Sequence, residues 1–379
     1  MNPVRVAAMV NAHSHAFQRD LRGAAERPSS PDDDFWSWRT EMFRLADALD
    51  PESMHEVAGR CYAEMRSAGY GAAGEFHYVH HQPDGTPYDD PNAMAIAVAE
   101  GALEAGLRVV LLPAAYHRNG WDGEDRPPQP GQRRFCDPDV ETFLQRIDEL
   151  RQWAQRREGV GVGVAAHSVR AVGADWLEAI AAYAQEHELP LHVHASEQRL
   201  ELAECEAEHG CSPIELLDRS GFLGPRTSVV HAIHVSDRDV DLLADSGATV
   251  VTCPTTEGNL GDGWFPALRY HEAGVPIAIG SDSQVRIDPF EEVRELETGA
   301  RRERQTRHAL LAATGDLWTT LARAGATALG GIDGGTIAID RDHPDLRGVA
   351  DDDVPLALAT CASAAVVVRA ESPPSDSNR

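Results

Sequence analysis

His13 and His15 stand two residues apart in Asn11-Ala-His-Ser-His-Ala-Phe-Gln-Arg19, at the end of an apolar run over residues 4–10. In a β-strand, side chains two apart share a face, so both imidazoles would converge on one point, as a metal site requires. An HxH by itself does not separate a metal site from two ordinary polar histidines. Three more segments carry candidate chemistry at the end of an apolar run. They are Leu191-His192-Val193-His194-Ala195-Ser196-Glu197, Val229-Val230-His231-Ala232-Ile233-His234 and Ile279-Gly280-Ser281-Asp282-Ser283. His13, His15, His194 and Asp282 together would offer three neutral nitrogens and a carboxylate, a set suited to zinc or a similar divalent ion. Each has a plainer reading. His192 fits a barrel interior better than a ligand position, His234 lies past its strand as a structural residue, and Asp282 alone could cap a helix. The convergence of four strand ends is what favours a site.

Such convergence needs an architecture. Strand candidates at 4–12, 71–78, 108–115, 160–166, 191–195, 228–232, 249–253 and 276–280 alternate with helix candidates at 51–68, 91–105, 138–157, 174–188, 237–245 and 289–307. Several helices open with Asp-Pro, an N-cap followed by proline at the first helical position. Eight near-continuous apolar strands alternating with helices predict a parallel α/β fold, and the count favours a (β/α)8 TIM-type barrel whose strand ends meet in one pocket. No GxGxxG follows the first strand, which argues against a dinucleotide fold. Residues 17–50, with an Asp-rich turn at 31–34 and the cluster Phe35-Trp36-Ser37-Trp38, read as a loop at the catalytic face, as do residues 116–137.

Composition narrows the chemistry. The net charge of −27 excludes nucleic acid and anionic membrane as expected partners. All 34 basic residues are arginine, so neither a Schiff-base lysine nor a carboxylated lysine bridging two metals is available. Six cysteines without a CxxC pair, no basic-then-apolar leader and no apolar stretch near the ~20 residues of a membrane span lead to an expected cytoplasmic location.

The order HxH, His-x-x-Glu, His and Asp resembles the amidohydrolase superfamily in its one-metal deaminase branch. Longer stretches, Gly74-Glu-Phe-His-Tyr78, Ala166-His-Ser-Val-Arg170, Cys253-Pro-Thr-Thr-Glu-Gly-Asn-Leu-Gly-Asp-Gly263 and Gly280-Ser-Asp-Ser283, are similar to the formimidoylglutamate deiminases over roughly residues 9–330. The resemblance implies one zinc, or another divalent ion, per chain on His13, His15, His194 and Asp282. It implies catalytic roles for Glu197, His231 and Asp282, and substrate contacts from Gln18, Arg39, Tyr78, His167 and Arg170. The implied reaction is deimination of N-formimino-L-glutamate to N-formyl-L-glutamate and ammonia, in histidine degradation. The chemistry is coherent: a divalent ion makes water nucleophilic near neutral pH, a carboxylate takes its proton, and a second protonates the departing nitrogen. Arginine's planar fork suits a dicarboxylate substrate. The competing expectations are a heterocycle aminohydrolase with the same metal core and a non-catalytic, metal-binding barrel.

The ends depart from the family. Its members carry strands of a small β-sandwich before the HxH and a longer return to it, whereas His13 here is preceded by twelve residues. The expected organisation is a barrel over 1–325, a remnant small β-domain over 326–370 and a disordered tail over 371–379. Either the small domain is reduced or the true start lies upstream. A homodimer is expected.

Overall fold

The structure is a computed structural model that describes residues 3–27 and 34–371. Among the described residues twelve strands form two sheets: β1 Pro3–Ala7, β2 Met9–Ser14, β3 Tyr70–His77, β4 Arg108–Ala115, β5 Val160–Val162, β6 Val164–Ser168, β7 Leu191–Ala195, β8 Thr227–His231, β9 Thr249–Thr252, β10 Ile277–Ile279, β11 Thr336–Asp340 and β12 Val367–Glu371. Strands β2, β3, β4, β6, β7, β8, β9 and β10 pair in parallel in that order, with β5 beside β4. Their side chains are buried almost throughout, as expected for a parallel sheet covered by helices on its outer face. This is the predicted eight-stranded barrel.

The barrel is nearly closed, and the seam runs through the candidate ligands themselves. The amides of Ser281 and Asp282 donate to the His13 carbonyl at 3.1 and 3.0 Å, and the His15 amide donates to the Asp282 carbonyl at 3.0 Å. Gly280 makes this approach possible, because a Cβ there would lie 2.7 Å from the His13 carbonyl oxygen. Sequence-distant ligands are thus placed by main-chain bonds as well as by strand geometry.

Three expectations are corrected. The run 4–12 is two strands in two sheets, not one. The Ala8 amide donates to Gly335 and the next amide, Met9, donates to Gly69, so the chain changes partners between adjacent residues while its hydrophobicity continues. Strand β1 pairs antiparallel with β11, and β11 with β12, forming a small sheet from both ends of the described chain. It sits tightly on the barrel, since a Cβ on Gly71 would fall 1.7 Å from the Gly334 carbonyl.

The run 160–166 is likewise broken, at Gly163, whose amide bonds Leu111 while the next bonds Pro190. The supposed loop over 17–50 contains the 3-10 turn Ala16–Leu21 and the helix Phe35–Asp47. Asp34 caps that helix by accepting from the Trp36 and Ser37 amides. Residues 116–137 contain the turn Pro130–Phe135. The Asp-rich turn at 31–34, apart from Asp34, and the tail beyond Glu371 lie outside the described residues.

The helix Pro51–Ala68 has its predicted bounds, with Asp50 as cap, Pro51 at its first position and Gly69 in the left-handed region at its end. The helix Leu317–Ala328 packs on β2 and β10, and its Ala328 carbonyl bonds His192 Nε2 at 3.0 Å. His192 is therefore an interior residue, the plainer of its two readings. Among the described residues no helix is long and apolar enough to cross a membrane.

Candidate active site

The ends of β2, β7, β8 and β10 bring His13, His15, His194, His231 and Asp282 together. His13 Nε2 lies 3.0 Å from His194 Nε2 and 3.5 Å from Asp282 Oδ1, and His15 Nε2 lies 3.2 Å from the same carboxylate oxygen. The strand-end residues Ser196, His231 and Asp282 all have positive φ, at 56°, 71° and 46°. Non-glycine residues adopt that conformation at a cost of order 1–3 kcal/mol each, and it is concentrated at functional sites.

The hydrogen bonding of the histidines tests whether the set fits a metal. His15 Nδ1 lies 2.7 Å from the Phe76 carbonyl and His194 Nδ1 lies 2.9 Å from the His167 carbonyl. A carbonyl only accepts, so both Nδ1 atoms carry hydrogen, and in the neutral tautomer that a metal needs each ring presents an Nε2 lone pair. One lone pair then faces an Asp282 oxygen and the other faces His13. Such an arrangement is repulsive without a cation between the groups. The ligand atoms of His13, His15 and His194 all lie within 4.8 Å of one another. His13 Nδ1 is buried without a protein partner. Three imidazoles and a carboxylate, two of the rings fixed from behind, fit a zinc-type ion.

Electrostatics separate the groups. Burial lowers His13 to about 3 and holds His194 well below the usual histidine range, so both are neutral. Burial opposes ionisation of Asp282, but the adjacent His13 and His15 rings outweigh it and keep the carboxyl well below its usual range. Burial would also lower His231, yet Glu197, the Glu257 hydrogen bond and Asp282 raise it to about 10. Burial raises Glu197, which lies 3.7 Å from His231 Nε2. A carboxyl with a raised pKa thus sits beside an imidazole whose own pKa its charge raises, a pairing suited to proton transfer.

Above this cluster lies a cavity that opens to solvent. Its lining includes His15, Gln18, Arg39, Tyr78, His167, Arg170, His194, Glu197, His231 and Asp282. Every residue given a metal, catalytic or substrate role from the sequence lies in this wall except His13, which is buried. Gln18 Nε2 donates to the Tyr78 hydroxyl at 2.8 Å, and Arg39 donates to the Tyr116 hydroxyl at 2.8 Å. Among the described residues neither Arg39 nor Arg170 has a carboxylate within 4.0 Å. His234 lies outside the lining.

Sequence reasoning missed several residues. Glu257 accepts from His231 Nδ1 at 3.2 Å, from Thr252 Oγ1 at 2.7 Å and from the Cys253 amide at 2.8 Å. It belongs to a quoted motif but has no pairing visible in the sequence. Glu75 braces the HxH turn by accepting from Ser14 Oγ, Tyr62 and the Ala16 amide, each at 2.8 Å. Glu201 accepts from the Ser196 and Glu197 amides at 3.2 Å. Phe35, Trp38, Met42 and Leu260 supply the apolar part of the wall. These are contacts between elements, and no spacing rule announces them.

The sequence profile of the amidohydrolase family matches residues 4–331. Formimidoylglutamate deiminase of Pseudomonas aeruginosa is 40% identical over 302 residues, 80% of this chain and 66% of that protein, so the match spans just under two thirds of the relative. A 5-methylthioadenosine/S-adenosylhomocysteine deaminase of Haloarcula marismortui is 28% identical over 91% of this chain and 75% of that protein. Among solved structures, an amidohydrolase from Brucella melitensis superposes with a TM-score of 0.88 at 36% identity, covering 96% of this chain and 84% of that one.

Proposed function

The chain belongs to the amidohydrolase family, and from that premise we propose that it hydrolyses a C–N bond of N-formimino-L-glutamate, releasing N-formyl-L-glutamate and ammonia. The observation that carries this reading is the pair of guanidiniums, Arg39 and Arg170, which among the described residues have no carboxylate within 4.0 Å, in the wall of the cavity that holds the His/Asp cluster. Two unpaired cations in a protein of net charge −27 call for a dianionic ligand, and a glutamate moiety has an α- and a γ-carboxylate. Similarity to the Pseudomonas aeruginosa formimidoylglutamate deiminase supports the same substrate.

His13, His15, His194 and Asp282 would hold the metal, with zinc the expected ion. Bound there, it supplies Lewis acidity that makes water nucleophilic at neutral pH. Asp282, ionised and beside the histidines, accepts the proton of the attacking water. Glu197, three residues past His194, carries a proton to the departing nitrogen. His231, protonated and aimed by Glu257, donates a hydrogen bond through Nε2 to the polarised reacting group. Water adds to the formimino carbon, the C–N bond to the terminal nitrogen breaks, and ammonia leaves with the transferred proton. Tyr78, Gln18 and His167 complete the polar wall. A heterocycle would leave both arginines without a purpose.

The test is ammonia release from N-formimino-L-glutamate by the purified, zinc-replete chain, with metal content measured on the same sample. A folded sample with about one zinc per chain and no ammonia release overturns the reading.

A further inference from the structure

Trp36 stands behind the two substrate-facing arginines. The Arg39 guanidinium lies 5.6 Å from the centroid of the Trp36 ring and the Arg170 guanidinium 5.3 Å from it. Trp36 does not line the cavity, whereas both arginines do. One indole therefore contacts two cations that come from separate parts of the chain, the helix Phe35–Asp47 and the segment after β6. Those cations repel each other, and Arg170 is among the charges that lower the Arg39 pKa, after burial. The remaining polar tether of Arg39 is the Tyr116 hydroxyl, and Phe43 lies 4.8 Å from its guanidinium on another side. Among the described residues Arg170 has no carboxylate within 4.0 Å, although its charge reaches the buried Glu201 and Glu197, and its Nε is buried without a hydrogen bond.

We propose that Trp36 is a positioning residue that sets the spacing of a two-arginine clamp through paired cation–π contacts, and so selects the length of the dicarboxylate bound there. The inference rests on the dicarboxylate reading of the site. The aromatic face offers negative potential to both guanidiniums at once, which offsets their repulsion while leaving their hydrogen-bonding edges free for carboxylates. The indole is itself fixed, because the Trp36 amide is held at 2.9 Å by the capping carboxylate of Asp34, and Phe35 meets the ring edge-on with centroids 5.1 Å apart. A clamp of set width discriminates between chains differing by one methylene.

Two variants of comparable bulk test this: Trp36→Leu, which removes the aromatic face, and Trp36→Phe, which keeps one. For Leu, KM for N-formimino-L-glutamate should rise about tenfold while kcat changes less than about threefold. The preference for formimino-glutamate over formimino-aspartate should shrink, and Phe should restore most of both. Calorimetric titration with glutarate provides a readout independent of turnover, with affinity expected to fall in Leu and recover in Phe. Wild-type protein that binds glutarate but does not deiminate formimino-glutamate would remove the reaction assigned above and leave the clamp standing. An unchanged KM and glutarate affinity in Trp36→Leu overturns the role of Trp36. So does equal damage from Leu and Phe, or no glutarate binding by the wild type.

Discussion

Glu257 receives the Nδ1 hydrogen of His231 at 3.2 Å, and the same imidazole turns its Nε2 towards Glu197 and Asp282 at 3.7 and 3.9 Å. The buried carboxylate is anchored by Thr252 and the Cys253 amide, so it both orients the ring and stabilises its positive charge. Removing such an outer partner costs 10–100-fold in comparable sites. Glu257→Ala is expected to lower kcat about 100-fold with little change in KM, and Glu257→Gln, which can still accept the hydrogen bond, about tenfold. Steady-state kinetics on the two variants checks this, and a KM effect larger than the kcat effect would contradict an orienting role.

Arg170 faces the cavity without a carboxylate partner among the described residues. Arg170→Met keeps an unbranched stem of similar length and removes the charged guanidinium group. Hydrogen bonds to charged groups contribute about 1.5–3 kcal/mol each, so kcat/KM should fall by about 10–150-fold, chiefly through KM. Thermal stability should change far less than kcat/KM, because among the described residues Arg170 makes no ion pair within 4.0 Å. A variant with its original KM would show that the carboxylates bind elsewhere.

Gly280 links the barrel seam to metal affinity. A Cβ there would sit 2.7 Å from the His13 carbonyl oxygen and 2.8 Å from its Cβ, with main-chain atoms that have no room to yield. Gly280→Ala should displace His13 and weaken metal binding about 10–100-fold. Chelator competition followed by metal analysis reads the effect directly. Retention of wild-type affinity would mean that His13 does not hold the ion.

Asp137 and Arg146 form a buried bidentate ion pair at 2.9 and 2.6 Å, with His81 also 3.3 Å from the carboxylate. Burial opposes ionisation of Asp137, but the His81 hydrogen bond and Arg146 outweigh it and hold the carboxyl far below its usual range. A depressed acid adds stability above its unfolded value near 3.9 and loses it as pH falls towards the folded value. Asp137→Asn should therefore cost about 3–5 kcal/mol at pH 7. Its stability should also decline less steeply than that of the wild type below pH 4. Urea unfolding at pH 7 and at pH 3–4 measures both effects, and parallel acid profiles would contradict the linkage.

The convergence of the candidate site residues was legible because strand-end spacing encodes direction. His13 and His15 share a strand face, and His194, His231 and Asp282 end later apolar runs, so a barrel brings them together whatever its helices do. The helix Pro51–Ala68 was legible for a similar local reason, since Asp-Pro at one end and glycine at the other specify its caps.

What depends on partners was not legible. Residues 4–12 look like one strand because hydrophobicity does not record which sheet an amide bonds to, and only the change from Gly335 to Gly69 between Ala8 and Met9 separates β1 from β2. The four-residue aromatic cluster at 35–38 is too short to show a period by itself; Phe35, Trp38 and Met42 share one helix face over the cavity, and the Asp34 cap starts that helix. The Glu257–His231 bond and the shared contacts of Trp36 with Arg39 and Arg170 join segments distant in sequence. Local pattern in the chain determined the ligand types and the barrel that gathers them, whereas tertiary structure alone decided their orientation and spacing, because those arise from contacts between elements.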